Sequence, residues 1–137
     1  MFIGRGVLQD GQKRRDMGPG KIEIKDINVL RGLMEHTFHH VLIDVQCYIA
    51  EKYGILITES YRPKRHKNDV HGTNPVRAND NRLWCYAPEN LAYEIQQDVN
   101  NKWCYDPERP RKQVVIIHDT GNGIHFHVQV HPGTVLR

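Results

Sequence analysis

The chain has 137 residues, of which 39% are hydrophobic and 26% charged, with a formal net charge of +3. That size and mix are ordinary for one soluble globular domain with a core of its own. No apolar run approaches the roughly eighteen residues of a membrane span, and the N-terminal MFIGRGVLQDGQKRRD lacks the apolar stretch of a signal peptide.

The expectation is therefore a protein made in the cytoplasm without an export address, needing separate delivery if its substrate lies outside the membrane. Cys47, Cys85 and Cys104 are odd in number and form no CxxC pair, which argues against a disulfide framework or a cysteine-type zinc ribbon. They read as free thiols in a reducing compartment.

Residues 1–25 are rich in glycine and charge and read as an N-terminal arm or short hairpin; residues 26–137 read as the domain. Asp26 is a candidate N-cap. After it Ile27, Leu30, Leu33, Met34, Phe38, Val41, Leu42, Val45 and Ile49 recur at three- and four-residue steps, predicting one long amphipathic helix that stops near Gly54. Ile55 to Ser60 reads as a buried strand, and 61–76 as a long polar loop of the kind that often carries function.

Val76 to Trp84 reads as a second strand. Pro88 to Trp103 reads as a helix with Pro88 in its first turn and Leu91, Ile95 and Val99 on one face. Val114 to Ile117, a turn at 119–123 and Ile124 to Val130 form a hairpin signal. The fold class is α+β: a small, largely antiparallel sheet with helices packed on one side, in a single domain.

The chain carries nine histidines, and their placement matters more than their number. His125 and His127 lie two apart on a predicted strand, so both imidazoles point to one face together with Gln129. Such a pair can share a metal, or one can ligate while the other handles a proton. His71, in a glycine-containing loop, and Asp80, on the next strand, add a nitrogen and an oxygen donor.

Two imidazoles and a carboxylate leave one position open, the arrangement of a catalytic rather than a structural zinc site. Arg62, in Ser60-Tyr61-Arg62 at the end of a core strand, could reach a carbonyl oxygen that becomes negative in a transition state; its other reading is a surface ion pair. His118 and Asp119 read either as groups orienting a ligand imidazole or as an ordinary strand end. His36, His39 and His40 fall in the predicted long helix and read as partly exposed. His66 and His131 have no assigned role. Trp84 and Trp103 read as core or cleft walls.

Ser60-Tyr61-Arg62, His71 with Ala78-Asn79-Asp80, and His125-Phe126-His127 together resemble the zinc peptidases that cleave D-alanyl-D-alanine and related cell-wall peptides, a superfamily of VanX- and VanY-type enzymes and phage endolysins. The stretch from Asn101-Lys-Trp-Cys-Tyr105 to His127-Val-Gln is similar to small phage and prophage members. The resemblance spans roughly residues 26–131.

It implies Zn²⁺ held by His71, Asp80 and His127, with His125 the catalytic residue beside the metal and Arg62 a clamp on substrate or transition state. It also implies hydrolysis of an amide bond in peptidoglycan stem peptide, by an enzyme of the endolysin or carboxypeptidase type. The chain departs from the family in three places. His71 and Asp80 stand two positions further apart than the family pattern, Asp69 stands where the family has serine, and Ile124 stands where the VanX-like branch has glutamate.

These departures sustain an alternative: a catalytically weak zinc-binding phage structural or wall-recognition protein with the same fold. The basic clusters at 13–15, 62–67 and 109–112 could attract an anionic polymer or be solvated loops. Few aromatics are interleaved with them, which argues against a nucleic-acid partner.

Overall fold

The computed structural model describes residues 17–86, 90–119 and 123–137. Its elements in chain order are β1 (Ile22–Ile24), α1 (Ile27–Glu35), α2 (His40–Lys52), β2 (Ile55–Glu59), a 3₁₀ turn (Val70–Gly72), β3 (Ala78–Arg82), α3 (Leu91–Lys102), β4 (Trp103–Cys104), β5 (Val115–Asp119), β6 (Ile124–Gln129) and β7 (Val135–Leu136). Five strands form the main sheet in the order β1-β2-β3-β6-β5, and β4 pairs with β7 in a small second sheet. Within the main sheet only β1 and β2 run parallel; the other three pairings are antiparallel. The α+β, largely antiparallel reading holds. The last residues of the stretch read as an arm supply the edge strand β1.

One expectation is corrected. The apolar repeat from Ile27 to Ile49 is two helices, not one. Asp26 caps α1 as expected, accepting the Val29 amide at 3.0 Å. The chain then turns extended at His36, and residues 37–39 pair with the loop that precedes β3. The Val76 amide donates to the Thr37 carbonyl and the His39 amide to the Val76 carbonyl, both at 2.9 Å. His39 then caps α2, its Nδ1 accepting the Val41 amide at 3.2 Å. A helical period cannot report this break, because the partner that creates it lies nearly forty positions away in the chain.

Helix α2 ends where the sequence places its stop. Gly54 adopts φ +85°, and its amide bonds back to the Ile49 and Ala50 carbonyls. Trp103 is buried, whereas Trp84 is exposed and borders the cleft described below. Pro88 and the centre of the 119–123 turn lie outside the described residues.

The two faces of the sheet are chemically distinct. Antiparallel register sets Asn81 opposite Phe126, and Ile117 opposite Phe126 on the other side; these residues face the helices. There Phe126, Val128, Val115, Leu42, Val45, Ile49, Ile95 and Val99 form the core. Gln46 of α2 and Asn81 of β3 satisfy each other within it by two amide hydrogen bonds of 2.9 and 2.8 Å. The alternate residues, Asp80 opposite His127 and His118 opposite His125, occupy the other face. The loop 61–76 crosses that face. It is held by the Arg62 amide on the His71 carbonyl and the Arg77 amide on the Val70 carbonyl. Its tight path needs Gly72, where a Cβ would meet the Lys64 amide nitrogen at 2.7 Å.

Candidate metal centre

Three elements deliver donor atoms to one point. His71 comes from the 3₁₀ turn, Asp80 from the middle of β3 and His127 from β6, and one donor atom from each lies within 4.8 Å of the others. His71 Nε2 is 3.3 Å from Asp80 Oδ1, and His127 Nδ1 is 3.1 Å from the same oxygen. His71 is 1% exposed, so its ring is withdrawn from bulk water. This group could hold a metal ion.

The hydrogen bonds on the far sides of the two rings decide what the near sides offer. His71 Nδ1 lies 2.8 Å from the Ser60 carbonyl, which can only accept, so Nδ1 carries the proton. In the neutral ring its Nε2 is then a lone pair, and among the described residues that buried atom has no hydrogen-bond partner. His127 Nε2 lies 3.2 Å from Gln129 Oε1, while Gln129 Nε2 donates to the Gln113 carbonyl at 2.9 Å. That second bond orients the amide so that its oxygen faces the imidazole, and His127 Nε2 must donate.

In the neutral ring Nδ1 of His127 is then a lone pair, and in the protonated ring it donates to Asp80 Oδ1 at 3.1 Å. Two imidazole nitrogens and a carboxylate oxygen converge in a buried setting where unpartnered polar atoms are costly. A divalent cation satisfies all three. Burial alone would raise the Asp80 carboxyl, but the imidazoles of His127 and His71 beside it outweigh burial and hold the group well below the ordinary carboxylate range. Asp80 is thus an ionised donor at neutral pH.

His125 sits beside this group. Its Nδ1 donates to the Gly123 carbonyl at 3.3 Å, which leaves Nε2 as the basic atom, 3.6 Å from Asp80 Oδ2. The ring of His118 packs near both His125 and His127, with centroids 5.6 and 6.3 Å away. The oriented partner of His127 is Gln129, which strand alternation places on the correct face but which alternation alone cannot identify as the orienting group.

Arg62 borders the same cleft, and its guanidinium is engaged on two sides. Nη1 meets Glu59 Oε2 at 2.6 Å and Nη2 meets Asp69 Oδ2 at 3.4 Å, while Nε is buried without a partner among the described residues. Asp69, which stands where the resemblance expects serine, is the junction. Its carboxylate accepts the His71 amide and the Arg65 amide, each at 3.1 Å, and the Arg62 guanidinium. Burial would raise its pKa, but these backbone donors and the charge of Arg62 carry it below the usual range. Asp69 therefore ties the metal-side loop to Arg62. The sequence marks it only as a departure.

The group opens onto a cleft of about 670 Å³ walled by Thr58, Arg82, Trp84, Lys112 and Ile124 among others. Arg82 lies over the Trp84 ring, 4.7 Å from its centroid. The cleft is large enough for a short peptide segment and mixes cations with one exposed aromatic. His36, His39 and His40 lie outside it; His36 stacks on Tyr61 at 3.6 Å. Cys47, Cys85 and Cys104 are free thiols and take no part in the group. Among the described residues no helix is long and apolar enough to cross a membrane. Comparison with protein-family models, with curated proteins and with solved structures finds no match.

Proposed function

We propose that this chain is a zinc-dependent peptidase that hydrolyses an amide bond in peptidoglycan stem peptide. The observation that carries the reading is the convergence of two imidazole nitrogens, His71 Nε2 and His127 Nδ1, on one oxygen of Asp80. Three protein donors with an open side suit catalysis, and two nitrogens with one carboxylate suit Zn²⁺. When bound there, zinc would supply an acidified water and a polarised carbonyl.

The remaining work falls to the chain. His125 Nε2 faces the group and can take a proton from water and pass it to the departing amine. Arg62 brings positive charge to the cleft where an oxyanion would form. The cell-wall substrate follows from the sequence resemblance and is compatible with a peptide-sized cleft.

A second reading, a zinc-binding phage or wall-recognition module with little chemistry, draws support from Arg62. Its charge is already compensated by Glu59 and Asp69, which lowers what it can offer an oxyanion. The two readings separate in one experiment. Purified protein loaded with one equivalent of zinc is incubated with peptidoglycan, and the fragments are identified by mass spectrometry. Peptide-bond cleavage that disappears with a chelator and in His127→Ala supports the peptidase. Zinc retention with intact peptidoglycan supports the module.

A further inference from the structure

A second groove of about 530 Å³ adjoins the metal-side cleft and shares His127, His118, Gln129 and Lys112 with it. Its remaining lining is Arg111, Gln113 and Ile116. Among the described residues no carboxylate lines it, and neither Arg111 nor Lys112 makes an ion pair. Lys112 only rides near the Tyr105 ring, at 5.8 Å. The main cleft is different: its acids Glu59, Asp69 and Asp80 are each matched by Arg62 or by histidine. Among the described residues, charge in the second groove is therefore unmatched and of one sign.

The groove includes His127 and its register partner Ile116 on β5, so it adjoins the metal group and shares its lining with these two cations. We infer that this groove is a subsite for an acidic residue of a peptide substrate, its carboxylate held by Arg111 and Lys112 and its stem lying on Ile116. The inference deepens the peptidase reading and rests on it for the word substrate. Two adjacent cations beside an apolar side chain suit one carboxylate on a short stem, whereas a polyphosphate would be tracked by a longer stripe.

Binding of a blocked glutamate, with acetylated amine and amidated α-carboxyl, is compared with binding of its glutamine counterpart. The zinc-loaded full chain is used, and backbone amide shifts of residues 111–118 are followed at low salt. The acid should bind about fivefold more tightly, as expected for two partly exposed charge contacts. Its preference should vanish in Arg111→Gln/Lys112→Gln, whose positions are exposed and outside the core. Equal binding of acid and amide, or a preference that survives the double variant, overturns the subsite. Displacement of the acid by inorganic phosphate at lower concentration than by free glutamate overturns the carboxylate assignment. Because nothing is hydrolysed in this readout, a retained preference in a protein that fails to cut peptidoglycan would defeat the peptidase reading alone.

Discussion

Replacing Gln129 by leucine tests how the metal group is prepared. Gln129 is buried and touches no other donor of the group, yet it fixes the His127 proton on Nε2 and so presents Nδ1 to the metal position. The bond is 3.2 Å, longer than the usual amide distance, so it belongs at the weaker end of the range, about 0.5–1 kcal/mol. Without it the imidazole must choose its tautomer and ring angle unaided, and outer partners of metal-bound histidines typically account for about ten- to a hundredfold in affinity.

The length of this bond places the expected loss near the lower figure, about tenfold in zinc Kd. Gln129→Leu also strips the Gln113 carbonyl of its donor and should cost about 1 kcal/mol of fold stability. Gln129→Glu keeps an acceptor for His127 and should hold zinc at least as well as the parent, while bearing the same loss at Gln113. The assay is zinc competition against a chromophoric chelator, with urea unfolding in parallel. A leucine variant with unaltered zinc affinity would refute the tautomer argument, even if it were less stable.

Other outcomes follow from the same geometry. Asp69→Ala removes an acceptor from two backbone amides and a counter-ion from Arg62, and should weaken zinc binding and cost about 2 kcal/mol in chemical unfolding. Gln46→Ala leaves Asn81 unsatisfied in the core and should cost about 2–3 kcal/mol with no change in zinc affinity. Asp98 accepts from Tyr48, Tyr53 and Lys52; burial opposes ionisation, but the Lys52, Tyr53 and Tyr48 donors prevail and its pKa is lowered. A depressed carboxylate contributes its stability above the unfolded pKa of about 4 and loses it as pH falls through the folded value. Asp98→Asn should therefore cost about 1 kcal/mol in urea melts at pH 7 and progressively less below pH 4.

Legibility in the sequence tracks the range of the interaction. Strand alternation is local, so the shared face of His125, His127 and Gln129 could be read without a structure, as could the caps at Asp26 and Gly54. Donor types and loop context likewise single out His71 and Asp80, which the 3₁₀ turn and its return to β3 bring together. The break at 36–39 was not readable, because its cause is the distant Val76. Nor was the part played by Asp69, whose role appears only when the loop folds back onto Arg62 and His71. Proton positions on the histidines depend on Ser60 and Gln129, partners that no spacing rule names.

The metal centre is tested most directly by a crystal structure of the zinc-loaded chain with anomalous data at the zinc edge. One full ion is expected, bonded to His71 Nε2, Asp80 Oδ1 and His127 Nδ1 at about 2.0–2.2 Å, with a non-protein ligand toward the cleft. An ion that avoids Asp80, or a protein that binds no zinc while remaining folded, would contradict it.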